Sequence, residues 1–148
     1  MPHAIAIPAD VAQRIGDDGH TTYVDVRTVA EFVAGHPRGR VVNIPIEFHH
    51  PQGGPAHPNA SFTLVATHAL ALDADLVVGA DDDTRAATAA DALVAAGFTR
   101  VQVMSAGVTG WRASGLPVTG YNADGVSYVS LLTPAKRQGG KAAAAHHD

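Results

Sequence analysis

The chain has 148 residues, 46% of them apolar, and a net charge of −4 with its histidines neutral. That length fits one domain around one core, and the apolar fraction lies far from disorder. No basic stripe is visible and no apolar run approaches the roughly 18 residues that span a bilayer, so neither nucleic acid nor membrane is expected as a partner. Aromatic residues are only 5% of the chain, so Val, Leu, Ile and Ala must fill the interior. The absence of cysteine excludes disulfides without fixing a compartment. Met1 to Asp10 has no basic stretch ahead of an apolar one, so no secretory signal is expected and a cytoplasmic location is the default.

Pro8 to Ile15 reads as a short helix, with Pro8 in its first turn and Gly16 after its end. Tyr23 to Val26 is a buried strand. Thr28 begins a helix with Glu31 three residues on, a capping box, and Gly35 ends it. Val41 and Val42 form another short strand. Residues 46–60, with His49, His50 and His57 among Pro and Gly, read as a long surface loop. Phe62, Val65, Ala66, Ala69 and Leu70 recur at helical spacing. Leu76 to Gly79 is the central strand. A helix follows, with Ala86, Ala90, Leu93, Val94 and Gly97 on one face. Val101 to Met104 is a strand, and Gly107 to Ala113 is a turn or short helix anchored by Trp111. Alternation then stops. Val126 to Leu132 is expected as an edge strand or a segment lying on the domain, and 134–148 as a disordered tail beyond a single domain at 1–133. Strands alternating with helices imply a parallel sheet covered on both faces. Ligands of such sheets sit beyond the carboxyl ends of the strands, where residues 80–85 lie.

Four motifs occur in one order. They are Val24-Asp25-Val26-Arg27; Glu31-Phe32 with Gly35-His36 and Asn43-Ile44-Pro45; the strand, loop, Arg85 and helix leading to Ala96-Gly97-Phe98; and Gly107 to Trp111 with Gly115-Leu116-Pro117-Val118. Together they resemble the rhodanese family over about residues 8–118. The resemblance implies a three-layer α/β/α domain with a central, mainly parallel sheet. In that family a loop of the form Cys-x-x-Gly-x-Arg carries sulfur as a persulfide, passing it from a donor such as thiosulfate to a thiol or cyanide. The chemistry needs a low-pKa thiolate, backbone N–H groups at a helix start, and room for an anionic donor. Aligned through Arg85, the cysteine falls on Ala80 and the glycine on Asp83. A methyl group cannot become a nucleophile, and Asp81, Asp82 and Asp83 place carboxylates where the donor would arrive.

Each residue of this constellation also has an ordinary role. Acidic residues ahead of a helix favour its dipole, and Asp83 or Thr84 can cap it; the sharper reading is a cation site built from the same oxygens. Arg85 binds a ligand or, as favoured here, ties down the loop by bonds to its carbonyls. Asp25 and Arg27 are expected to pair and brace strand ends, and His36 to be a satisfied structural histidine. The loop histidines match no zinc spacing. Neither a cofactor nor a resident metal is expected. The leading hypothesis is a binding or regulatory module that takes an unidentified protein or small molecule at residues 80–85 and 46–60. The alternatives are a sulfurtransferase in cysteine-to-alanine form and a metal-binding domain using loop Asp or His.

Overall fold

A computed structural model describes residues 3–16, 19–49 and 52–146. The parallel strands are β1 (Ala4–Ala6), β2 (Thr21–Asp25), β4 (Val41–Asn43), β7 (Asp75–Gly79) and β8 (Val101–Met104), with the two-residue β3 (His36–Pro37) between β2 and β4 and the pair β5 (Glu47–Phe48) and β6 (His57–Pro58) after them. The five form one sheet in the order β1-β8-β7-β2-β4, every neighbouring pair parallel. Parallel neighbours need crossovers, and the helices supply them. They are α1 (Pro8–Arg14), α2 (Val29–Ala34), α3 (Phe62–Ala69), α4 (Asp83–Ala95), α5 (Gly107–Ala113) and α6 (Tyr128–His146).

Side chains alternate across each strand, so the sheet has two cores. Val24, Val26, Leu76, Val78 and Val103 meet α3, α4 and α6 on one face. Tyr23, Val77, Val41 and Met104 meet Val11 of α1, Phe32 of α2 and Trp111 of α5 on the other. The three-layer α/β/α architecture is therefore the observed one. Trp111 is fully buried, and its indole N–H donates to the Pro117 carbonyl at 2.8 Å.

Two expectations are corrected. Val94 is half exposed, and Ala89 takes its place with Ala86, Ala90 and Leu93 on the buried face of α4; at about 100° per residue, position 94 falls at the edge of that stripe. Of the two readings of Val126 to Leu132, the edge strand is not formed and the segment lying on the domain is: α6 begins at Tyr128 and rests on α3, with Tyr128 and Ala135 buried. From Pro134 to His146 the backbone continues α6; alanine, the commonest residue there, is a strong helix former. The long 46–60 connection is also less open than its composition suggests, because β5 pairs antiparallel with β6. His50 and Pro51 lie outside the described residues.

The capping box at α2 is present. Thr28 Oγ accepts from the Glu31 N–H at 3.3 Å, and Glu31 Oε1 accepts from the Thr28 N–H at 3.0 Å. Thr28→Ala is expected to lose about 1 kcal/mol, read as a lower urea midpoint at unchanged slope. The box also aims Glu31 at the candidate site.

Candidate functional site

Strand β7 lies at the middle of the sheet and is buried from Leu76 to Gly79. The Tyr23 hydroxyl stands where a Cβ on residue 79 would be, so only glycine ends this strand. Ala80 follows and has no exposed surface; it packs in the same core as Val24, Val78 and Ala86. Its carbonyl accepts from the Val108 N–H at 2.9 Å. Gly107 presses against the Ala80 carbonyl and the Asp81 backbone, at φ 58° and with no room for a side chain. The 105–107 turn thus buttresses the loop from beneath.

Each of the three aspartates is engaged within the protein. Asp82, not Asp83 or Thr84, is the N-cap of α4, accepting from the Arg85 N–H at 2.7 Å. Helix α4 starts one or two residues earlier than a cap at Asp83 or Thr84 implies, which moves the cap with it. Asp83 accepts from the Ala106 N–H at 3.2 Å. Ala106 has φ 62°, and this bond helps hold a left-handed conformation that a non-glycine residue adopts at a cost of about 1–2 kcal/mol. Asp81 pairs with Arg85 Nη2.

Arg85 makes bonds to carboxylates where bonds to loop carbonyls were expected. Its Nη1 and Nη2 donate to Glu31 Oε1 and Oε2 at 2.9 and 3.0 Å, in addition to Asp81. The Arg85 side chain is only 6% exposed. Burial, the largest single influence, would raise the pKa of Glu31, but the Arg85 and Thr28 hydrogen bonds and the Arg85 charge overcome it and hold the carboxyl at about 2. The family-matching arginine is thereby balanced by two carboxylates. Glu31 was read from the sequence only as a cap. Its partner lies 54 residues away, and no local pattern connects them.

Asp25 and Arg27 pair as expected, through Nε–Oδ1 at 3.0 Å and Nη2–Oδ2 at 2.8 Å. Arg27 Nη2 also donates to the Gly35 carbonyl at 2.7 Å, tying the end of α2 to the end of β2. Burial raises the pKa of Asp25, and the Arg27 bonds and charge only partly offset this. His36 is buried and stacked on Phe32 with ring centroids 3.7 Å apart, and its ring nitrogens face the Pro37 and Tyr121 carbonyls, each at 2.8 Å. These three residues brace the strand ends and do not line the loop's cavity.

That cavity, of about 630 Å³, lies where the 46–60 connection meets α3 and the start of α4. Ile46, Pro58 and Phe62 supply apolar wall; Glu47, Asp82 and Thr84 supply polar groups. The structure therefore brings together the two segments named from the sequence, but only part of the 80–85 loop faces the space. Ala80, Asp81 and Asp83 do not line it.

Residues 8–114 match the Rhodanese-like domain family. The chain belongs to that family. Rhodanese-like domain-containing protein 17 of Arabidopsis thaliana is 36% identical over 105 residues, covering 70% of this chain and 65% of the relative. Thiosulfate sulfurtransferase 18 of the same plant is 33% identical over 99 residues, covering 66% of this chain and 71% of the relative. Among solved structures, the Alr3790 protein of Anabaena sp. superposes with a TM-score of 0.65 at 24% identity, over 78% of this chain and 82% of that one; this likeness concerns the fold.

Within this rhodanese-like domain the described histidines of the 46–60 connection are His49 and His57. His49 and His57 are exposed, and His49 Nε2 lies 3.9 Å from Glu47 Oε1. Among the described residues no three His, Asp or Glu side chains gather as a metal site. The aspartates bond to the domain's own N–H groups and to Arg85. No helix among the described residues is long and apolar enough to cross a membrane.

Proposed function

We propose that this rhodanese-like domain does not relay sulfur and serves as a binding or regulatory module, its contact surface the cavity between the 46–60 connection and the start of α4. One observation carries the reading: the position that the motif assigns to the nucleophile is Ala80, fully buried, in a chain without any cysteine. No pKa shift makes a methyl group accept sulfur. The surroundings support the same conclusion. Asp81, Asp82 and Asp83 crowd the approach, and each carboxylate near about 5 Å of an arriving anion costs about 1 kcal/mol or more outside bulk water. Arg85, which would attract that anion, already has Glu31 and Asp81 as partners. The cavity retains what a binding site needs, an apolar wall with a few fixed polar groups and a volume suited to a small molecule or an inserted side chain.

The test is sulfur transfer from thiosulfate to cyanide, followed as thiocyanate. The unmodified chain is expected to match the buffer blank, and turnover above it would refute the proposal. Ala80→Cys separates the second reading, a sulfurtransferase in cysteine-to-alanine form, which the 33% identity to a thiosulfate sulfurtransferase favours. A thiol placed at this covered position beside three carboxylates should react slowly. Full activity in Ala80→Cys would mean that the loop remains competent and lacks only its nucleophile.

A further inference from the structure

A second cavity, of about 710 Å³, opens along β4 at the edge of the sheet, away from the Gly79–Ala80 end of the central strand. Its walls come from the end of α1, the turn at 38–40, and the segment that includes β9 (Val118–Thr119). We propose that this cavity is a binding site for a small oxyanion, a phosphate or carboxylate, that carries an apolar or aromatic group.

Charge points to the anion. Arg38 and Arg40 both line the cavity and are exposed, in a chain whose net charge is −4. Arg14, Arg27 and Arg85 pair with carboxylates, whereas neither cavity arginine forms an ion pair with a described residue. Arg40 Nη1 donates to the Gly19 carbonyl at 2.6 Å, which steadies the guanidinium without neutralising it. The Arg38 side chain makes no hydrogen bond with a described residue. Guanidinium groups two residues apart on one turn suit bidentate recognition of phosphate or carboxylate. With only these two cations and no basic stripe, the site does not resemble a nucleic-acid track.

The walls point to the rest of the ligand. Ile15, Val118 and Val126 give apolar surface, and Tyr121, 58% exposed, offers a ring face at the rim. The volume falls in the range of small-molecule sites.

The site is also held in shape. The Arg40 N–H donates to the Ile15 carbonyl at 2.7 Å and the Arg38 N–H to the Pro117 carbonyl at 3.2 Å, pinning the turn to both walls. Gly39 has φ 147° and packs against Ile15 so closely that a Cβ would lie 2.6 Å from its carbonyl oxygen. His36 fixes the Tyr121 backbone at 2.8 Å. Such preorganisation lowers the entropy lost on binding. Asp17 and Asp18 follow Gly16 in the sequence and lie outside the described residues, so the experiment uses the full chain.

The probes are phenyl phosphate and phenylacetate, with benzyl alcohol and benzylamine as neutral and cationic controls, followed by amide NMR and calorimetry. At least one anion is expected to bind with a dissociation constant below about 10 mM and to shift amides of 38–41 and 118–121, with the controls at least about tenfold weaker. Comparing the two anions distinguishes phosphate from carboxylate, and a preference for either supports the site. Arg38→Gln removes no side-chain hydrogen bond or ion pair with a described residue, so it should fold normally and weaken binding about tenfold. The proposal is overturned if neither anion binds, if benzyl alcohol binds as well, or if Arg38→Gln leaves the affinity unchanged. None of these outcomes bears on sulfur transfer.

Discussion

Arg27→Ala is expected to lower stability by about 3–5 kcal/mol at neutral pH, a large share of the 5–15 kcal/mol typical of a domain. The reason is what it leaves behind. The Asp25 side chain has no exposed surface, and apart from the Arg27 guanidinium its hydrogen-bond donor among the described residues is the Arg27 backbone N–H at 3.1 Å. Without the guanidinium, a carboxylate would remain in the core with one hydrogen bond and no counter-charge. Burial already raises the pKa of Asp25 with Arg27 present, so the truncated variant should take up a proton there more readily still. The sign follows: a folded pKa raised above the unfolded value favours folding on the acid side and penalises it as pH rises through the folded value. The deficit of Arg27→Ala should therefore shrink on acidification. Asp25→Asn in the same background should recover part of it, since the amide needs no counter-charge. Urea unfolding at neutral and mildly acidic pH measures both. A deficit below about 1 kcal/mol would mean that the pair braces nothing.

Features set by neighbours in the chain were legible, and features set across space were not. The capping box at Thr28 and Glu31, the strand running to Gly79 and the helix at Gly107–Ala113 each rest on residues within a few positions of one another. The Glu31–Arg85 pair and the Asp83–Ala106 bond join segments 54 and 23 residues apart, and only the finished sheet brings them together. Val126 to Leu132 illustrates the limit from the other side. Its β-branched and apolar residues suit a strand, but burial of Tyr128 and Ala135 beside α3 makes the segment a helix, an instance of packing overriding propensity. The acidic run at Asp81 to Asp83 is a cluster at a helix start in the sequence and in the structure alike. Which oxygen serves which donor depends on a shift of one or two residues in where α4 begins.

Glu31→Gln is expected to cost about 1–3 kcal/mol at pH 7, after allowance for the solvent that reaches this carboxylate. Its folded pKa of about 2 lies below its ordinary 4.5. Between those values the unfolded chain binds more protons, so the stability Glu31 contributes is full above about pH 4.5 and is lost as pH falls toward 2. The wild-type and Glu31→Gln stability curves should converge across that window, and parallel curves would show that the Arg85 pairing is not the source. The same substitution probes the loop. In Ala80→Cys, Arg85 is held by Glu31 and Asp81 and is poorly available to an anionic donor. Replacing Glu31 by Gln leaves the guanidinium with Asp81 as its one carboxylate partner, so the cluster goes from net negative to neutral while the fold weakens. Ala80→Cys/Glu31→Gln should therefore transfer sulfur from thiosulfate faster than Ala80→Cys alone, despite unfolding at lower urea. Equal or slower transfer would show that the Glu31 clamp on Arg85 is not what keeps an anion from this loop.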